Sequence, residues 1–233
     1  MTNDYVSVVY DEKRTPKTGY PFKLVSYLFS RFGMKKGDRL LEIGCGRGEF
    51  ISAFQSLCLD CYAVECSERS LKTLAGIKIK KADISKEKLP YEDNTFDIVY
   101  HKSLIEHLYT SDNLMKETVR VLKPGGRVII LTPDWVSQMK VFYEDFTHSR
   151  PYDINSVSDL LKVYGFKDVR AELFYQLPIL WRYSALKIVC RFFQLLFSVT
   201  VARKLTKITG IKFFRWSVEL MVLGSGVKPI RND

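Results

Sequence analysis

One short segment constrains this chain more than any other: Glu42-Ile-Gly44-Cys45-Gly46-Arg-Gly48-Glu-Phe. It follows the apolar run Arg39-Leu-Leu-Glu-Ile43. It precedes Phe50, Phe54 and Leu57, which recur at i, i+4 and i+7. That order predicts a buried strand, a glycine turn and a helix. Glycine reaches φ > 0 without strain and leaves the backbone bare, so a ligand can come close to it. A second strand over Cys61-Tyr-Ala-Val64 ends at Glu65, twenty-one positions after Gly44. A carboxylate about 20 residues beyond such a turn is placed to accept hydrogen bonds from ribose hydroxyls.

The loop therefore reads as the seat of a nucleoside-bearing ligand. A dinucleotide site wants G-x-G-x-x-G with a pyrophosphate at the helix start. Here the spacing is G-x-G-x-G, and Glu49 stands at the third-glycine position. A carboxylate there repels a pyrophosphate, and Glu42 adds a second acid. S-adenosylmethionine fits this charge pattern, since it carries an amino group and a sulfonium cation but no phosphate.

The rest of the chain repeats the strand–helix alternation. Ser67 is placed to cap a helix carrying Leu71 and Leu74, and residues 77–82 read as a third strand. Phe96-Asp-Ile-Val-Tyr100 reads as a fourth strand. A helix through Leu114, Thr118 and Val121 leads to Lys123-Pro-Gly-Gly126, read as a tight turn, and then to a fifth strand over residues 127–132. Ser156 is the expected cap of a later helix that stops at Gly165. Residues 169–174 and 216–223 are the expected sixth and seventh strands. Such alternation builds a parallel sheet with helices on both faces.

With these motifs in this order, the chain resembles the class I S-adenosylmethionine-dependent methyltransferases over about residues 35–175. The resemblance implies a Rossmann-like, seven-stranded, mostly parallel sheet with the last strand antiparallel and a helical insertion before it. It implies S-adenosylmethionine as cofactor and S-adenosylhomocysteine as product. Glu42, Gly44, Gly46 and Gly48 match the first motif, with Cys45 inside it. Glu65 matches the ribose acid, with Cys66 beside it. Asp83, in Lys-Ala-Asp83-Ile84, matches the residue facing the adenine amino group. Residues 89–99 match the fourth-strand motif and residues 121–128 the turn before the fifth strand. His101, where the fourth strand ends, is an expected cofactor contact and a catalytic candidate.

Some family members that methylate bases or glutamine carry Asn/Asp-Pro-Pro-Tyr after the fourth strand. This chain has Tyr100-His-Lys-Ser-Leu-Ile-Glu106-His107 instead, which resembles the small-molecule enzymes. His107 is expected to be structural. The polar cluster Asp145-Phe-Thr-His148-Ser-Arg150-Pro follows the fifth strand and resembles a segment of polysaccharide and lipid methyltransferases. His148 is the candidate base or orienter, and Arg150 is expected to pair with Asp145 or with an acceptor anion. The reading is O-methylation of a small, glycan or lipid-linked acceptor. The alternatives are an RNA or protein methyltransferase and a non-catalytic cofactor-binding subunit.

Charge enters the argument at the C-terminal end. The chain has net charge +10, and residues 178–233 hold ten basic residues against only Glu219 and Asp233. Within residues 178–214, Lys187, Arg191, Gln194 and Ser198 recur at helical spacing as a polar stripe among Trp181, Phe192, Phe193 and Phe197. This basic aromatic stretch is expected to be a helical lid, an anchor on an anionic membrane surface, or both; nucleic acid is the disfavoured partner. Cys58 and Cys61 have CxxC spacing, but two further ligands at matching spacing are lacking, so reduced thiols and no metal are expected. The start lacks an apolar core behind basic residues, so a secretory signal is not expected. The whole reads as one domain, residues 1–233. Residues 1–37 form an N-terminal arm and helix in which Tyr5, Tyr10 and Tyr20 are expected to close over the cofactor. The expected location is cytoplasmic, peripheral on the inner face of a membrane.

Overall fold

The computed structural model describes residues 16–74 and 76–230. Tyr5 and Tyr10 lie outside the described residues. Among the described residues, the strands β1 (Arg39–Ile43), β2 (Asp60–Glu65), β3 (Lys78–Lys81), β4 (Phe96–Lys102), β5 (Leu122–Pro133), β6 (Lys167–Phe174) and β7 (Met221–Val227) form a sheet in the order β3-β2-β1-β4-β5-β7-β6. The chain separates into two compact units: of the described residues, those up to 101, 111–129 and 227–230 belong to the first, and 102–110 and 130–226 to the second.

The first unit holds β1 (Arg39–Ile43), β2 (Asp60–Glu65), β3 (Lys78–Lys81) and most of β4 (Phe96–Lys102). These strands run parallel: Leu40 lies opposite Cys61 and Ile98, and Tyr62 lies opposite Lys78. Four of the five β1 residues are buried, the aliphatic Leu40, Leu41 and Ile43 together with Glu42, because both faces of the strand are covered. Helix α1 (Tyr20–Arg31) buries Leu24, Val25 and Leu28, which share one face by their spacing. Helix α2 (Glu49–Ser56) buries Ile51, Ala53 and Phe54. Ser67 caps α3 (Glu68–Thr73) as expected, its hydroxyl accepting the amide of Ser70. Helix α4 (Asp112–Val121) carries Arg120, which binds Glu117, Asp93 and the carbonyls of Leu89 and Tyr91. That guanidinium ties the loop before β4 to the helix.

The expected turn at Lys123–Gly126 is instead the start of β5 (Leu122–Pro133). The Gly125 amide donates to the Lys228 carbonyl, and the Lys228 amide donates to the Gly126 carbonyl, each at 2.8 Å. Gly125 sits at φ +80°. Two residues thus oppose one, the pattern of an antiparallel bulge opened by a left-handed glycine.

The second unit holds the end of β5, α5 (Trp135–Gln138), α6 (Ile154–Val163), β6 (Lys167–Phe174), α7 (Pro178–Arg182), α8 (Lys187–Leu196), α9 (Val199–Thr209), α10 (Lys212–Val218) and nearly all of β7 (Met221–Val227). Asp153, not Ser156, caps α6. Ser156 lies three residues further on, and the two side chains exchange bonds with each other's amides. The seventh strand begins later than expected because residues 216–218 finish α10. There the i, i+4 pair Arg215–Glu219 favours helix. The polar stripe is also split. Phe197 leaves the helical region, and Ser198 caps α9 with a bond from the amide of Val201.

Candidate cofactor loop and histidine cluster

The glycine loop follows from the end of β1. Gly44, Gly46 and Gly48 have φ of +73°, +51° and +73°, a region that side chains rarely adopt. The Gly44 amide donates to the Val64 carbonyl, and the Gly48 amide closes a turn onto Cys45. A Cβ on Gly48 would lie 2.4 Å from Leu74 Cδ2, whereas one on Gly46 would meet nothing within 4 Å. Gly48 is thus held by packing, and the Gly46 backbone faces open space.

Glu65, 8% exposed, reaches back from β2 and pins the loop. Its Oε2 accepts the Gly46 amide at 2.8 Å, and its Oε1 accepts the amides of Cys66 and Ser67 at 2.8 and 3.1 Å. A carboxylate oxygen can accept more than one bond, so this clamp retains capacity for ligand hydroxyls. Glu42 is buried beneath the loop. Burial, then the charges of Glu42 and Glu65, hold the Cys45 thiol well above the ordinary range. Two carboxylates, Glu42 and Glu65, thus stand beside the loop, an arrangement that suits a cationic ligand. Glu49 contributes less to this than its position implied, because Arg47 pairs with it at 2.6 Å.

The other expected contacts are differently disposed. Asp83 turns into its own loop: it accepts the Ser85 hydroxyl and amide at 2.6 and 3.0 Å and pairs with Lys86, so its carboxyl lies below the usual range. Ile84 is buried, and its carbonyl is held by Asn113. Cys66 is exposed, and burial of its thiol group with Glu65 alongside pushes it up to about 12. All five cysteines are free thiols. His101 is fully buried, and neither ring nitrogen has a hydrogen-bond partner among the described residues. Burial alone pulls its pKa down to about 3. A sealed, neutral imidazole lacks the access a catalytic base needs, so His101 leaves the catalytic set.

The second unit assembles a cluster only partly foreseen. His107, in a 3₁₀ turn over Ile105–His107, joins His148 with ring centroids 4.8 Å apart. The Thr147 hydroxyl donates to Asp145 at 2.6 Å and lies 2.8 Å from His107 Nδ1. With its single proton so used, the hydroxyl can only accept from His107, which places a proton on Nδ1. His148 Nδ1 lies 2.6 Å from the Phe142 carbonyl, an acceptor only, so Nδ1 is protonated there too. Neutral His148 therefore carries its basic lone pair on Nε2, 4.0 Å from Asp145 Oδ2. Burial, with His148 adjacent, lowers the His107 pKa.

Glu106 completes the cluster, and the sequence reading did not single it out. It is fully buried; its Oε2 accepts the Thr132 hydroxyl at 2.9 Å, while Oε1 has no partner among the described residues. Burial pushes its pKa up to about 7. Its carbonyl receives the amides of Ser149 and Arg150, which fixes the segment bearing His148. Ligand atoms of Glu106, His107 and His148 lie within 4.8 Å of one another, the one such trio among the described residues with reach for a metal ion. The expected Arg150–Asp145 pair is not formed. Arg150 is exposed, and Asp145 turns instead to the amide and hydroxyl of Thr147.

A family model described as "Methyltransferase domain" matches residues 41–130. Phosphoethanolamine N-methyltransferase 3 of Arabidopsis thaliana is 30% identical over 155 residues, which is 60% of this chain and 31% of that protein. An uncharacterized protein of Methanocaldococcus jannaschii is 29% identical over 80% of both chains. The solved phosphoethanolamine N-methyltransferase 2 of Haemonchus contortus, bound to phosphomonomethylethanolamine and S-adenosylhomocysteine, superposes with TM-score 0.68 at 20% identity. That likeness covers 99% of this chain and 61% of the solved one. The chain thus spans about a third of the length of the plant relative it matches. Residues 41–130 thus resemble a methyltransferase domain, and the chain has the fold of the solved methyltransferase on which it superposes.

Proposed function

We propose that the protein transfers the methyl group of S-adenosylmethionine to a hydroxyl on a small, glycan or lipid-linked acceptor. The observation that carries this reading is the clamp of Glu65 on Gly46 within a loop of three left-handed glycines above buried Glu42. A bare backbone and two carboxylates receive a ribose and a cation, and they disfavour a phosphate. When bound, the cofactor supplies a methyl group already activated on a sulfonium. The chain's own task is then to position the groups and remove a proton.

His148 Nε2 is the atom assigned to take that proton. The Phe142 carbonyl orients its ring, and Asp145 stands on the Nε2 side to stabilise the imidazolium that forms. His107 and Thr147 hold Asp145 in place, so they are positioning residues. A lipid-linked acceptor agrees with the apolar, basic surface of residues 178–214 and with a cytoplasmic protein peripheral to a membrane. A second reading, methylation of an amine, draws on the phosphoethanolamine N-methyltransferases that the chain resembles.

Calorimetric titration with S-adenosylmethionine and S-adenosylhomocysteine tests the cofactor. Binding that weakens at least tenfold in Glu65→Ala, with an unchanged circular dichroism spectrum, is expected; no binding of either compound to the wild type overturns the reading. Transfer of labelled methyl to a lipid extract or to phosphoethanolamine then separates the two acceptors. His148→Ala should lower turnover by about 100-fold or more while leaving cofactor affinity intact. Full turnover in that variant removes His148 from the mechanism.

A further inference from the structure

Helix α8 is amphipathic in the reverse sense for a packed helix. Its inward side carries Cys190, Phe193 and polar Gln194, whose amide nitrogen donates to the Ser217 carbonyl at 2.6 Å. Its outward side carries Ile188, Phe192, Leu195 and Leu196, which are 71%, 62%, 83% and 61% exposed. Their spacing of i, i+4, i+7 and i+8 puts them on one face. Helix α9 follows at a bend of 109° and exposes Val201 and Ile208, the latter at 81%. Exposed apolar groups of this number on consecutive turns mark a contact surface.

The charges beside that surface say what meets it. No Asp or Glu occurs from residue 178 to residue 218. Two arginines of the segment are engaged within the protein: Arg203 binds Glu144 and Glu219, and Arg215 binds Glu219. Lys187, Arg191, Lys204 and Lys207 form no ion pair among the described residues. A second copy of the chain would bring these unneutralised cations against their own kind. Nucleic acid would leave Leu195 and Ile208 against a polar, charged surface. An anionic bilayer satisfies both chemistries at once, phosphate headgroups for the cations and the acyl boundary for the apolar face. Among the described residues, no single helix is long and apolar enough to cross a membrane. The 10 and 11 residues of the two helices give rods of about 15 Å, half of the ~30 Å hydrocarbon layer.

We propose that α8 and α9 lie in the interfacial layer of an anionic bilayer as a bent wedge, with Ile188, Phe192, Leu195, Leu196 and Ile208 entering the acyl boundary and Lys187, Arg191, Lys204 and Lys207 on lipid phosphates. The wedge stands independently of the methyl-transfer reading, because none of its residues belongs to the glycine loop or the histidine cluster.

Flotation of the full chain with vesicles of phosphatidylcholine alone, or with about one quarter phosphatidylglycerol, tests the wedge at about 50 and about 500 mM salt. Wild type should float at least tenfold more with the anionic vesicles at low salt, and high salt should reduce that binding. Leu195→Glu with Ile208→Glu should lose at least tenfold, and so should Lys204→Glu with Lys207→Glu. Both pairs are exposed, so thermal unfolding and cofactor titration should match wild type. Absence of wild-type flotation overturns the proposal, as does wild-type flotation by the Leu195/Ile208 variant. Sedimentation of the same samples reads the competing occupant. A wild-type dimer that the Leu195/Ile208 variant dissociates, without vesicle binding by either, would make the face an interface between copies and also overturn the wedge.

Discussion

Replacing Glu106 by Gln tests the physical account of the histidine cluster at its most buried point. Burial raises this carboxyl from 4.5 to about 7. The folded state therefore keeps a proton that the unfolded chain releases above pH 4.5. Its contribution is full below pH 4.5, declines as pH rises toward 7, and levels off above that. At about 1.4 kcal/mol per pH unit, the shift corresponds to a loss of about 3 kcal/mol across the window. Gln keeps an acceptor for the Thr132 hydroxyl and a similar shape but does not titrate. Urea unfolding followed by circular dichroism, from about pH 4.5 to about pH 8 at constant ionic strength, gives the stability difference between variant and wild type. Other groups titrate alike in both proteins and cancel. The difference should move in favour of the variant by about 3 kcal/mol over that range. Parallel stability curves for the two proteins would refute a Glu106 that is protonated by burial.

Two further substitutions probe the scaffold. Gly48→Ala forces a left-handed alanine and sets a Cβ against Leu74, so a loss of about 2 kcal/mol in urea unfolding is expected, together with weaker S-adenosylmethionine binding. Wild-type stability there would mean that the loop readily adopts another backbone path. Glu219→Ala strips a buried carboxylate, 2% exposed, from Arg203 and Arg215, and should cost about 2–3 kcal/mol. That lies below a fully buried pair because the Arg215 side chain is 48% exposed. A melting temperature unchanged in the variant would show that these contacts contribute nothing net.

What the sequence by itself determined is local. Three glycines between an apolar strand and an amphipathic helix, and an acid at the end of the next strand, were legible because each signal lies within a few residues of backbone geometry. The order of strands and helices followed for the same reason, and so did Gly165 as the stop of α6. Tertiary structure decided the rest. Glu106 looks like any charged residue beside a histidine until Thr132, twenty-six positions away, and the surrounding core enclose it. Arg150 and Asp145 have compatible charges and spacing, yet Thr147 is nearer to Asp145 and captures it. The stripe from Lys187 to Ser198 reads as one continuous helix, but the chain breaks at Phe197 and turns Gln194 inward to a carbonyl twenty-three residues further along. Burial and pairing of this kind depend on which distant groups fold together, and the desolvation that sets Glu106 near 7 exists only once they have.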